Sequence, residues 1–205
     1  VYIGSNSIVE QANISGSFSA KEGLKIFTGG TNIYGNVEVG RFTSLNGPNF
    51  DIEAGNGKVS IGSFCSVARN VSIQVENHRT DRITSHFICQ NLFNIKQIKE
   101  TYSKGDIVIE NDVWIGTQCV ILSGAHISTG AVIAANSVVV GFIPPYAIAG
   151  GSPAKVIKFR FSEDEIKALL ESKWWEWSED KLKENKFLFF DKLDILKLAS
   201  ITLDR

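Results

Sequence analysis

From Ile109 the chain returns a branched aliphatic residue at every sixth position: Ile115, Ile121, Ile127, Ile133 and Val139. Four residues after most of these stands a small one, at Cys119, Ala125, Ala131 and Ser137. A period of six is neither that of a helix nor the alternation of an ordinary strand. It suits a short strand plus a turn, repeated, with one branched side chain per unit directed inward. The same beat gives Ile61, Val67 and Ile73, and before them Ile33, Val39 and Leu45; a fainter version runs through Ile8, Ile14, Ala20 and Ile26. Glycine or asparagine recurs nearby, as in IGS, IGT and NIYGN, where the chain must turn sharply. An alternating β-sandwich does not hold such a phase for so long. The fold class expected is an all-β solenoid whose stacked coils bury one another's faces.

The beat is expected to end at Pro144-Pro145, because proline cannot donate to a ladder. A loop and a return strand then fit YAIAGGSPAKVIKFRF. Ser162 with Glu165 reads as a capping box before a helix with apolar positions at Ile166, Leu169 and Leu170. Ser178 repeats the device, and residues 186–199 make a third helix candidate. The expected division is a β-helix over 1–160, interrupted by a loop at about 75–106, and C-terminal helices over 161–205.

Composition narrows the partners. A net charge of −1 gives no electrostatic case for nucleic acid. No apolar run is long enough to span a bilayer. No leader pattern stands at Val1, and the odd number and wide spacing of the cysteines make a cytoplasmic, reducing setting the expected one. Three widely spaced cysteines, Cys65, Cys89 and Cys119, suggest neither a disulfide framework nor a metal site.

The six-residue beat stops at VENHRTDRITSHF, residues 75–87. That stretch, the NLF after it, NDVWIG, AANSVVV, IPPYAIAGGSPAKVIKFRF and LLESKWWEWS together resemble the xenobiotic acetyltransferase subgroup of the hexapeptide-repeat acyltransferases, over roughly residues 58–185. The spacing does not fix the hand of the coil; the resemblance implies a left-handed parallel β-helix. It further implies acetyl transfer from acetyl-CoA to a hydroxyl group, a homotrimer with active sites between subunits, and a loop histidine, here His78, as the base.

An imidazole suits that work because a sugar hydroxyl must lose its proton as it attacks a thioester. Asp81 either orients the histidine or pairs with Arg79 or Arg82; Asn77 binds the acceptor or caps the turn. His126 precedes the inward Ile127 and is expected to face outward. For acetyl-CoA the resemblance implies Trp114, Thr117, Ala135, Gly141, Lys155 and Lys158. Trp114 could equally make a subunit contact, and the two lysines could equally be a solvated strand face. At Gly141 the family often carries a polar or basic residue, so this chain departs from the pattern there. An acetyl-cysteine route is the competing mechanism, but Cys65 and Cys119 occupy the small inward slot and Cys89 lacks an adjacent base. The tryptophans at 174, 175 and 177 and the Phe187–Phe190 run are expected to pack among themselves.

The segment RFTSLNGPNFDIEAGNG is polar and short, and Ser85-His86 stands where antibiotic-modifying members carry an aromatic and a proline. These departures lean toward a sugar acceptor, in a surface polysaccharide or its precursor. The rivals are an antibiotic O-acetyltransferase, a nucleotide-sugar N-acetyltransferase, and a non-catalytic trimeric scaffold.

Overall fold

Each hexapeptide forms a strand only two or three residues long, and such a strand survives only by pairing with the coils above and below it. The computed structural model, which describes residues 1–203, shows three parallel ladders wrapping one core. We call their faces A, B and C. Face A stacks Phe18–Ala20, 37–39, 59–61, Ile107–Ile109, His126–Ile127 and Phe142–Ile143. Face B stacks Ile8–Val9, Lys25–Phe27, Ser44–Asn46, Ser66–Val67, Trp114–Ile115, Val132–Ile133 and Ala147–Gly151. Face C stacks Ala12–Ser15, 31–34, 50–53, Ser72–Gln74, Val120–Leu122 and Val138–Val139. The chain visits A, B and C in turn, so one coil is three hexapeptides. The register shows it: Val120 pairs with Val138, 18 positions on.

The inward positions are those of the six-residue beat. Ile109, Ile115, Ile121, Ile127, Ile133 and Val139 are buried, as are the small residues Cys119, Ala125, Ala131 and Ser137. Two expectations need correction. At the N-terminus, Ile8 pairs with the outward Lys25, and its neighbour Val9 pairs with the inward Ile26. The phase therefore slips by one residue, and both side chains are exposed. At the other end, Pro144 and Pro145 do not stop the solenoid. They occupy a corner, where no ladder N–H is required, and Ala147–Gly151 continues face B before Ala154–Phe159 returns antiparallel to it.

The corners are made by residues at positive φ. The A–B corner uses Phe42, Phe64, Asp112, Gly130 and Tyr146 at successive levels, and the B–C corner uses Asn49, Asn70, Gln118 and Asn136. Gly130 has no alternative: at φ 73° a Cβ there would come within 2.3 Å of the Tyr146 ring on the next coil.

The C-terminal helices dock on the A–B corner. Arg41 donates to the carbonyls of Trp175 and Trp177, and the rings of Phe42, Phe64 and Trp174 stack in sequence. The helix Glu163–Ser172 begins with the full Ser162–Glu165 capping box. At Ser178 only half of that device forms: its hydroxyl accepts from Lys181 N, but Lys181 has no carboxylate to answer. The tail is two pieces rather than one helix, a 3₁₀ turn at Lys186–Phe189 and an α-helix at Ile195–Leu203 that Asp194 caps by accepting from Leu196 N and Lys197 N. The tryptophans pack together as expected, with Leu188 beside them and the Phe189 ring against Trp174, but Phe187, Phe189 and Phe190 stay exposed, so the Phe187–Phe190 run does not bury itself as expected. No helix among the described residues is long and apolar enough to cross a membrane.

Candidate active site

The loop leaves the coil at the corner between faces C and A. Ser72 pairs with Val120, an offset of 48. Against the 18 of an uninterrupted coil, the insertion amounts to 30 residues. Its two ends are tied to one strand below: Val75 N donates to Glu53 O (3.0 Å), and Lys58 N donates to Asp106 Oδ1 (2.9 Å). Just inside, Asn77–His78 pairs antiparallel with Thr101–Tyr102. Asn77 Nδ2 donates to Ser123 Oγ at 3.0 Å, pinning the loop to the coil above. Glu76 braces the base of the loop. Desolvation pushes its carboxyl up, but hydrogen bonds from Asn56 and Thr101, with Lys99 nearby, hold it below the usual range.

His78 is exposed, with its ring 4.4 Å from that of Phe87. Its Nδ1 lies 2.7 Å from the carbonyl oxygen of Ser85. A carbonyl can only accept, so Nδ1 carries the proton and neutral His78 keeps the lone pair on Nε2. Asp81 plays no part in this orientation. Its carboxylate is paired with Arg79, with Nε to Oδ1 at 2.9 Å, and that pairing lowers its pKa. The orienting acceptor is a backbone carbonyl rather than a carboxylate.

Glu100 is a determinant that the residue pattern does not reveal. Only 8% exposed, it accepts from Cys89 N (2.9 Å) and Gln90 N (3.0 Å). Its own carbonyl accepts from Arg79 N (3.2 Å). It thus joins the two halves of the loop around His78. Desolvation pushes its carboxyl up, but the two backbone donors hold it below the usual range. The only available signal was an acid placed directly before the loop's return strand. A cleft of about 440 Å³ lies beside it, lined among others by Arg79, Arg82, Thr84, His86 and Cys89.

The same carboxylate argues against a thiol mechanism. Desolvation and then Glu100 raise the Cys89 pKa. Burial pushes Cys65 up to about 12 and also raises Cys119. Thiolate is the reactive form. Native protein is therefore expected to expose at most one thiol, that of Cys89, to slow labelling by a disulfide reagent, against three after denaturation; fast labelling of two or three native thiols would contradict this burial.

The residues expected to hold acetyl-CoA divide into two groups. Trp114, 56% exposed, pairs with Val132, which pairs with Ile148, which pairs with Lys158. These four residues form one outward row across face B. Thr117 and Ala135 stand on successive coils at the B–C corner, where Asn136 N donates to Thr117 O and a Cβ on Gly116 would meet Ala135 N at 2.7 Å. Thr117 Oγ1 itself donates to Arg69 O (2.9 Å). Lys155 pairs with Gly150 on the return strand. Gly141 stands apart from these five. Its carbonyl accepts from His126 N at the C–A corner, two levels above the base of the loop. Face C lies between the His78 corner and the Thr117 corner. His126 does face outward, on face A, with Nε2 2.7 Å from Glu110 Oε1. No cluster of three or more metal-ligating side chains occurs among the described residues.

The outward rows change character at the level of the loop. Between the first coil, whose outward row carries Tyr2 and Ile8, and the loop, face A reads Ser19, Glu38, Ser60; face B Lys25, Ser44, Ser66; face C Asn32, Asp51, Ser72. Above it they read Val108, His126, Phe142; Trp114, Val132, Ile148; and Val120, Val138.

No protein-family model matches the chain. Among curated proteins, it is 43% identical over 145 residues to a probable macrolide acetyltransferase of Lysinibacillus sphaericus, covering 68% of this chain and 77% of that one. It is 43% identical over 132 residues to a chloramphenicol acetyltransferase of Morganella morganii, covering 62% of this chain and 63% of that protein's length. It is 36% identical over 100 residues to a putative lipopolysaccharide biosynthesis O-acetyl transferase of Escherichia coli (strain K12), about half of each. Among solved structures, a mutant of AntD, an N-acyltransferase from Bacillus cereus in complex with dTDP and coenzyme A, shares the fold with a TM-score of 0.64 at 16% identity, over 83% of this chain and 89% of that one.

Proposed function

Because this chain belongs to the xenobiotic acetyltransferase subgroup of the hexapeptide-repeat acyltransferases, enzymes built on a left-handed parallel β-helix, we propose that it transfers acetyl from acetyl-CoA to a hydroxyl of a sugar. The observation that carries the reading is the Nδ1 contact of His78 with the Ser85 carbonyl. It leaves Nε2 able to accept the acceptor's proton. The oxygen so freed attacks the thioester carbonyl, the carbon–sulfur bond breaks, and the imidazolium returns its proton to the leaving thiolate. A backbone N–H of a coil turn supplies the oxyanion donor.

In this reading Trp114, Val132 and Ile148 offer an apolar floor for the pantetheine arm, and Lys155 and Lys158 meet the phosphates. Thr117 and Ala135 leave room at the corner. Gly141 offers only backbone, on the histidine's side. Since face C separates the two sets within one chain, the site closes only when the loop of one subunit meets face B of a neighbour. The apolar outward rows above the loop, and Leu92, Phe93, Ile95 and Ile98 exposed on its second half, supply the surface for such a homotrimer.

The polar faces beside the loop and the lipopolysaccharide-related relative favour a sugar, with Asn77 and Asp81 at the acceptor's edge. The macrolide and chloramphenicol relatives favour the second reading, an antibiotic acceptor. Turnover of acetyl-CoA against one pool of glycans and one of hydroxyl-bearing antibiotics separates them; turnover with antibiotics alone removes the sugar reading. Changing Lys155 and Lys158 together to alanine is expected to raise the KM for acetyl-CoA roughly three- to thirtyfold, at up to about 1 kcal/mol per exposed charge pair, with kcat unchanged. An unchanged KM would free those lysines from the cofactor.

A further inference from the structure

Glu100 does more than the cap of a short turn requires. Its two carboxylate oxygens accept from Cys89 N (2.9 Å) and Gln90 N (3.0 Å), in the one-turn helix Ile88–Asn91. That helix buries none of its own side chains, and four residues are too few for a helix to be stable by itself. A neutral serine or asparagine caps such donors without a charge to desolvate.

What the turn does hold is the ring of His78. Phe87 stands at its N-cap, with Asn91 N donating to Phe87 O (2.8 Å), and the Phe87 ring lies 4.4 Å from the imidazole. Ile88 N donates to His86 O (2.7 Å), which fixes the step back to Ser85, whose carbonyl meets His78 Nδ1 at 2.7 Å. On the other limb, Glu100 precedes Thr101, the ladder partner of His78, and its carbonyl accepts from Arg79 N (3.2 Å). Among the described residues, the hydrogen bonds that join residues 85–91 to 99–102 all end on the Glu100 carboxylate. The strand that carries the imidazole and the turn beside it are thereby kept in one register.

We infer that Glu100 is a positioning residue for acetyl transfer, whose carboxylate keeps the Ser85 carbonyl on Nδ1 and so holds neutral His78 in the tautomer with its lone pair on Nε2. The catalytic half of this rests on His78 being the base; the tautomer does not. The test compares wild type with Glu100→Ala and the isosteric Glu100→Gln, whose amide keeps one acceptor and sets an N–H against the other donor. Two-bond ¹H–¹⁵N spectra of the full chain, at about pH 8 where an imidazole is neutral, read the tautomer. The His78 signals are identified by their loss in His78→Ala. Wild type is expected to show the Nδ1–H form, Glu100→Ala a mixture with Nε2–H, and Glu100→Gln a state between. With the acceptor pool that turns over, kcat should fall roughly ten- to a hundredfold in the alanine variant, the effect of a displacement of about 1 Å, while the KM for acetyl-CoA stays unchanged. An Nδ1–H form that survives both substitutions, or is absent from the wild type, would overturn the inference, and so would a fall in kcat without a change of tautomer. A changed tautomer with undiminished kcat would overturn the catalytic half alone, and with it His78 as the base.

Discussion

Replacing His78 with alanine is expected to lower kcat for acetyl transfer roughly a hundred- to ten-thousand-fold, the range that a positioned general base supplies. Affinity for acetyl-CoA and the melting temperature should stay nearly constant, because the ring is exposed and its contacts are confined to Ser85 and Phe87. His78→Asn sharpens the test. An asparagine amide can still donate toward the Ser85 carbonyl but cannot accept a proton at neutral pH. Loss in both variants assigns the base. An active asparagine variant would leave His78 only a loop-ordering role, and an active alanine variant would redirect attention to Cys89.

The second large effect lies in the core. Ile121 is fully buried on face C, stacked between Ile73 below and Val139 above. Ile121→Ala should cost about 2–5 kcal/mol, since the coil is held on both sides and collapses only partly into the vacancy. Solenoid stability sums over coils and their interfaces, so the damage falls on the level that carries the base of the loop. The control is Ile8→Ala, 44% exposed on the first coil, which should stay within about 0.5 kcal/mol. Chemical denaturation of the two variants measures both; near-equal costs would contradict the inward packing of the beat.

The beat between Ile109 and Val139 was legible because burial in this fold is periodic in sequence: each hexapeptide directs one branched chain inward. It failed at Ile8, where a slip of one residue puts Val9 rather than Ile8 in line with the inward Ile26, and at Pro144-Pro145, where the missing donors fall on a corner. Corners themselves are poorly written. Phe42, Phe64 and Tyr146 adopt left-handed backbone that bulky residues seldom take, held by the ring stack around Arg41 and Arg160. In the site, His78 announced itself by breaking the rhythm. The Ser85 carbonyl did not, because a backbone acceptor has no residue type. Glu100 escaped for a related reason: its partners are the main-chain donors of Cys89 and Gln90.

The two ends of the insertion are fastened to Glu53 and Lys58, five positions apart on a single strand. The ladder therefore closes beneath residues 77–105 regardless of what they contain. Doubling the length of such an excursion costs only about 0.6 kcal/mol of closure entropy. If His78 is the base, recognition of the acceptor is in this sense a replaceable cassette, clipped onto a scaffold whose own assembly does not consult it.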